Sequence, residues 1–240
     1  MRASVIIPVF NERESLPLVV GDIPRGLVAE IVVVDNGSTD GTDLVVQDMG
    51  SRGGPSGPST APPVRLVREP RRGYGSACLA GLAALEASPP DVVVFLDGDY
   101  SDHPEEMPAL LAEIDRGADF VIGSRTLGRH EPGALLPQAR VGNLLACFLI
   151  RVLHGHRYTD LGPFRAIRWD ACQRLGMRDP TFGWTCEMQV KALREGLRVA
   201  EVPVSYRRRV GVSKITGTVS GTLRAGWKII ATILRYAWNP

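Results

Sequence analysis

Val92-Val93-Val94-Phe95-Leu96-Asp97-Gly98-Asp99-Tyr100-Ser101-Asp102 carries five apolar residues straight into two carboxylates separated by one glycine. A continuous apolar run rich in β-branched side chains reads as a strand covered on both faces of a parallel sheet. Charges do not belong inside such a core, so Asp97 and Asp99 should emerge at the strand's carboxyl edge, where open α/β sheets place their ligands. Gly98 is expected to keep the space between them open. Oxygen ligands of this kind suit a hard cation, Mg²⁺ or Mn²⁺, which takes one or two carboxylates and leaves its other positions to phosphate oxygens and water. The competing reading is a strand end with solvated aspartates.

Upstream, strand, polar loop and helix recur. Ala3 to Val9 reads as a strand ending in Pro8-Val9-Phe10-Asn11-Glu12, with a first helix over Ser15 to Val20. Ile31 to Val34 closes on Asp35 through Thr42, whose Ser, Thr and Asp residues cap a helix from Thr42 to Met49. Such alternation implies βαβ units and a single α/β domain around a mostly parallel, Rossmann-like sheet with helices on both faces. Asp35, at the end of the second strand, is placed either to accept hydrogen bonds from a base or ribose or to act as a cap. Residues 50–63, dense in Gly, Pro and Ser, read as a surface loop, because a strand resumes at Val64. Arg72-Gly73-Tyr74-Gly75 then opens a helix of small residues, and glycines beside arginines at a helix start suit a phosphate.

Downstream, Pro104 starts a helix to Arg116, a strand over Ala118 to Ile122 ends Gly123-Ser124-Arg125, and Ala134 to Leu153 reads as a long apolar helix. Asp160 to Ala166 is expected to form a strand and turn carrying Arg165. A helix opening at Phe182 and containing Glu187, a strand over Val199 to Tyr206, and an amphipathic helix over residues 218–240 complete the chain, leaving residues 1–217 as the main domain.

The charge sum, 28 basic against 26 acidic residues, gives +2 and argues against a protein built for nucleic acid. The distribution is more informative. From Pro203 onward there are Arg207, Arg208, Arg209, Lys214, Arg224, Lys228 and Arg235 and no acidic residue, which suits an anionic partner or a solvated basic face. Cys78, Cys147, Cys172 and Cys186 lie apart in apolar segments and read as small buried hydrophobes in a reduced, cytosolic compartment. No secretory signal and no stretch long enough to span a bilayer are expected.

Strand-Asp-x-Asp also occurs in haloacid-dehalogenase phosphatases, where the first aspartate is a nucleophile. There the motif follows the first strand, whereas here two βα units precede it. Taken together, Pro8 to Glu12, Asp35 to Thr42, Arg72 to Gly75, Asp97 to Asp99 with His103-Pro104-Glu105, Gly123 to Arg125, Gly162 to Arg165 and Tyr206 to Lys214 resemble family-2 glycosyltransferases of the GT-A fold. The chain is most similar to their polyprenyl-phosphate group, that of dolichyl-phosphate mannosyltransferase.

The resemblance implies inverting transfer of a hexose from a nucleotide sugar to a polyprenyl phosphate. Pro8, Phe10, Glu12 and Asp35 would line the nucleoside pocket, with Arg72, Gly73 and Gly75 nearby. Asp97 and Asp99 would hold the metal on the diphosphate, with Ser101 beside it. Arg125, Arg165, Arg209 and Lys214 would meet donor or acceptor phosphates. Transfer to a sugar hydroxyl would instead need a carboxylate base, with Glu187 or Asp160 as candidates; a non-catalytic nucleotide-sugar binder is the third possibility. Relatives often carry glutamine at the position of Ser101, and many continue into membrane-spanning helices. Here contact with the inner face of a membrane would be peripheral, through Leu144 to Leu153 and the terminal helix with Trp227, Tyr236 and Trp238, unless those faces pack in the core.

Overall fold

Residues 1–52, 62–211 and 219–238 are described by the structure, a computed structural model. Val92–Phe95 does form the central strand of a sheet, and residues 96–102 lead out of it. Seven strands, β1 (Ala3–Val9), β2 (Val28–Asp35), β3 (Val64–Arg68), β4 (Val92–Phe95), β5 (Phe120–Ser124), β6 (Arg165–Arg168) and β7 (Val199–Pro203), take the spatial order β3-β2-β1-β4-β6-β5-β7. All pairings are parallel except those of β6, which runs antiparallel to both β4 and β5.

Chain progression explains where a ligand can sit. From β1 the chain moves outward through β2 to β3, then returns to place β4 on the other side of β1. Strand order therefore reverses between β1 and β4, which is the topological switch point at which open sheets bind ligands. Register brings the ends together: Val9 lies opposite Asp35, and Ile6 opposite Phe95. Phe10 to Glu12, Asp35-Asn36 and Asp97 to Asp99 consequently share one edge.

Alternating side chains of these strands feed two apolar layers. Ile6, Val32, Val34, Val93 and Phe95 pack with α3 (Tyr74–Leu85), α5 (Pro137–His154), α6 (Trp169–Leu175), α7 (Trp184–Arg194) and α8 (Val219–Trp238). Val5, Ile7, Ile31, Val33 and Val94 pack with α1 (Leu16–Asp22), α2 (Thr42–Arg52) and α4 (Met107–Asp115). Trp184, fully buried, meets the Phe95 ring edge-on at 5.9 Å, an arrangement worth about 1 kcal/mol beyond burial. Burial on both faces is why β4 reads as an unbroken apolar run.

Several boundaries differ from the sequence reading. The helix expected to end at Met49 continues to Arg52; of the expected loop, residues 53–61 lie outside the described residues. Residues 160–164 are irregular, and the strand begins at Arg165. Helix α6 was not expected: it follows β6 with no intervening turn residue, and only its end is marked, by Gly176 in the left-handed conformation. All four cysteines are free and buried, as read.

Candidate active site

Asp97 leaves β4 directly. Its Oδ1 is buried without a hydrogen-bond partner, and burial, then the neighbouring charge of Asp99, push its carboxyl up to about 7. Asp99 is buried and fully engaged. Its Oδ1 accepts from the Ser101 backbone N–H at 2.9 Å and from the Ser101 hydroxyl, and its Oδ2 lies 2.7 Å from Arg209 Nη2. Ser101 therefore orients Asp99 and does not present its own hydroxyl to a ligand.

The turn that makes this corner is strained and held. Tyr100 has φ +64°, a conformation costing a non-glycine residue about 1–2 kcal/mol. Arg207 holds it there, its guanidinium 3.4 Å from the Tyr100 ring centroid and its Nε donating to the Tyr100 carbonyl at 2.7 Å, while the Tyr100 hydroxyl donates to Asp22. The need for Gly98 differs from expectation. A Cβ there would stand 2.7 Å from Val9 Cγ1, so the glycine lets the corner press against β1 rather than holding the carboxylates apart.

A carboxylate with an orphaned oxygen beside a second carboxylate fits a hard divalent cation, which would relieve their repulsion. Among the described residues no group of three or more His, Cys, Asp or Glu converges as a metal cage. The protein donors would be Asp97 and Asp99, with the remaining positions left to phosphate and water. Asp102, which the sequence reading did not single out, is a third buried carboxyl, with neither oxygen partnered; burial and then the Asp97 charge push it well up.

From this corner a cavity of about 310 Å³ extends over the ends of β1 and β2, lined by Pro8, Phe10, Glu12, Arg72, Gly73, Asp97, Gly98, Asp99 and Arg209. Sequence reasoning named all of these. Arg72 lies 3.7 Å over the Phe10 ring, closing one wall. The cavity is also lined by Asn36, Tyr74, Ala77 and Phe182, which were missed. Asn36 is the organiser: its amide donates to the carbonyls of Glu69 and Arg71 and accepts from Gly73 N–H at 2.8 Å, fixing the Arg72-Gly73 turn. Asp35 does not line the cavity. It is buried one residue away, its Oδ1 accepting from Ser38 N–H at 3.0 Å. Gly75 does not line it either; its role is packing, because a Cβ would fall 1.9 Å from the Asp179 carbonyl oxygen.

A second cavity, about 380 Å³, is lined by Arg125, His130, Arg140, Arg157, Asn143, Leu144 and Asp160 among others. Arg125 donates to both oxygens of Asp160, at 2.8 and 2.7 Å, and its guanidinium stands 5.1 Å from the Tyr206 ring. Burial opposes its charge, but the Asp160 carboxylate more than compensates, so Arg125 stays cationic.

Two predicted residues lie elsewhere. Arg165 is fully buried and lines neither cavity; it donates to the carbonyls of Leu161, Gly162 and Thr185, bracing the segment after α5. Burial pulls its pKa down. Glu187 is also fully buried, its oxygens taken by Arg178 and Asp179 N–H groups, Lys191 and Tyr236, and it faces α8 rather than the carboxylate pair. Lys214 lies outside the described residues.

Residues 4–176 match the sequence profile of glycosyl transferase family 2. An uncharacterized glycosyltransferase of Mycobacterium tuberculosis is 38% identical over 234 residues, covering 95% of this chain and 97% of that protein. The undecaprenyl-phosphate mannosyltransferase of Micrococcus luteus is 35% identical over 237 residues, covering 92% and 90%. In fold, the chain superposes with a TM-score of 0.72 at 24% identity on M. tuberculosis glucosyl-3-phosphoglycerate synthase in complex with Mn²⁺, uridine diphosphate and glucosyl-3-phosphoglycerate, covering 99% of this chain and 80% of that one. With a parallel-sheet switch point, an Asp-Gly-Asp corner and these relatives, the chain is a glycosyltransferase of the GT-A fold and belongs to glycosyl transferase family 2.

Proposed function

We propose that the chain transfers a hexose, with inversion, from a nucleotide sugar to a polyprenyl phosphate at a membrane surface. The nucleoside would lie between Phe10, Arg72 and Tyr74, with its diphosphate at Asp97, Asp99 and Arg209. A divalent cation held there, Mn²⁺ or Mg²⁺, would stabilise charge on the departing nucleoside diphosphate. Arg209, already paired with Asp99, is placed to add a second positive charge.

One observation carries the choice of acceptor: the cationic second cavity opens beneath an exposed apolar helix. Arg125, Arg140 and Arg157 line it together with Leu144, and Leu144 belongs to a stripe on α5. Val141, Leu144, Leu145, Phe148 and Val152 recur at helical spacing and are exposed, Leu144 by 71%, and Trp227 of the adjoining α8 by 73%. A phosphate on a long apolar chain matches both surfaces at once. No helix among the described residues is long and apolar enough to cross a membrane, so contact would be interfacial. A phosphate monoester is ionised near neutral pH and needs positioning rather than a base. That agrees with the two candidate bases being committed elsewhere, Asp160 to Arg125 and Glu187 to α8.

Incubation with UDP- and GDP-hexoses, Mn²⁺, and either polyprenyl phosphate or saccharide acceptors tests this reading. Transfer to the lipid phosphate is expected; transfer confined to sugar hydroxyls would overturn it. Asp99→Asn should lower turnover by at least about 100-fold, in keeping with the loss of a group stabilising developing charge, and full activity in that variant would remove the metal assignment.

A further inference from the structure

The loop Arg178–Gly183 forms part of the donor cavity through Phe182, and it is held from behind by α8. Glu187 accepts the backbone N–H groups of Arg178 at 3.1 Å and Asp179 at 2.7 Å. The same carboxylate receives Lys191 Nζ at 2.8 Å and the Tyr236 hydroxyl at 2.7 Å, the latter from α8. Asp179 caps Thr181 through Oδ1 and pairs through Oδ2 with Lys228 of α8 at 2.9 Å. On its other side the loop touches the phosphate-type turn. Pro180 O accepts Ser76 N–H at 2.9 Å, and Gly73 and Gly75 have no room for a Cβ against the Pro180 and Asp179 carbonyl oxygens.

A continuous set of hydrogen bonds thus runs from α8 to the donor cavity. We propose that Glu187 is a positioning residue for donor binding, and that Lys228 and Tyr236 of α8 act through Glu187 and Asp179 to hold the loop that closes the donor cavity. Neither Glu187 nor Asp179 touches the carboxylate pair. Burial opposes ionisation of both, but the donors around them outweigh it and hold both carboxyls below their ordinary values, so each is a fixed negative post for backbone N–H groups of the same loop. Because α8 also carries the exposed Trp227, the element facing the proposed lipid surface is the one bracing the donor loop.

The inference rests on the donor reading of the first cavity, and the test separates the two. UDP and GDP binding, each with Mn²⁺, is measured by calorimetry on the full chain and on Lys228→Met, Tyr236→Phe and Glu187→Gln, with donor KM and kcat alongside. Lys228 is partly exposed and Tyr236→Phe removes one hydroxyl, so both variants should fold even where Glu187→Gln does not. Nucleotide affinity and donor KM should worsen about tenfold, with kcat at saturating donor within about twofold, as expected for loss of a charge-assisted hydrogen bond that positions a loop. Lys228→Arg should restore affinity, and Arg174→Met, which removes an exposed ion pair on α6, should leave it unchanged. If the unaltered chain binds neither nucleotide, the donor reading falls. If it binds one and Lys228→Met and Tyr236→Phe bind equally well, the positioning role is overturned.

Discussion

Among single residues, Arg209 and Arg165 show what position does to identical chemistry. Both are arginines that the family resemblance assigns to phosphates. Arg209 ends up 2.7 Å from Asp99 in the donor cavity, whereas Arg165 is buried among carbonyl oxygens. A divalent cation at the proposed site would share the Asp99 carboxylate with the Arg209 guanidinium, so Arg209→Ala should tighten Mn²⁺ binding in the absence of nucleotide by about three- to tenfold while weakening binding of nucleoside diphosphate. Titration of the Mn²⁺ electron paramagnetic resonance signal reads the first effect; unchanged Mn²⁺ affinity would show that the ion pair does not compete. Arg165→Met should cost about 2–4 kcal/mol in denaturant unfolding, since it strands several buried carbonyls, yet leave both KM values within about twofold. The sequence distinguishes the two arginines poorly. Asp97 and Asp99 were legible as carboxylates at a strand end and Arg72 as an arginine beside glycines at a helix start, whereas Phe10 and Glu12 were placed in the pocket by the family resemblance. Asn36 was not, because an asparagine in a turn-rich loop looks like ordinary turn chemistry until its amide is seen bridging Glu69, Arg71 and Gly73.

Whole elements follow the same rule. Strands β1, β2 and β4 were readable from the apolar runs Val5 to Val9, Ile31 to Val34 and Val92 to Leu96, because burial on both faces demands them. The antiparallel β6 was not legible as such. Its four residues, Arg165-Ala166-Ile167-Arg168, carry an arginine at each end and give no sign of direction, which is set by pairing with β4 and β5. Helix α6 escaped because Trp169 continues straight from β6, and only tertiary burial of Ala171, Cys172 and Leu175 shows where the helix faces. The start of α3 illustrates a contact no local pattern announces: Gly75 reads as a phosphate glycine, yet what it needs is room for the Asp179 carbonyl, 104 residues later in the chain. A Gly75→Ala change therefore overpacks the interface between α3 and the 178–183 loop. It should cost about 1–3 kcal/mol of stability and raise donor KM, although alanine is the better helix former. A gain in melting temperature with unchanged KM would mean that this contact yields freely.

Over the whole molecule, the proposed reaction would use three surfaces in sequence. The first cavity is lined by Asp97 and Asp99 and the second by Arg125, and the positive charge of Arg125 weakly favours ionisation of Asp97. The second cavity borders the exposed stripe of α5, flanked by the exposed Arg140, Arg151 and Arg157. An apolar stripe between arginines suits an anionic lipid surface, where burial of the side chains and attraction to headgroups reinforce each other. Leu144, Phe148 and Val152 do not pack within the domain, whereas Tyr236 and Ile233 of α8 do pack inward. Phe148→Glu places a charge in the middle of the stripe at a residue that lines neither cavity. It should reduce sedimentation with vesicles containing phosphatidylglycerol by about tenfold or more, from lost apolar burial and added repulsion, and should leave UDP or GDP affinity unchanged. Transfer to a polyprenyl phosphate embedded in those vesicles should fall in parallel, while transfer to a short-chain, water-soluble polyprenyl phosphate should be largely retained. Equal loss with both acceptors would place Phe148 in acceptor recognition rather than in membrane contact, and equal retention with both would remove the stripe from the reaction.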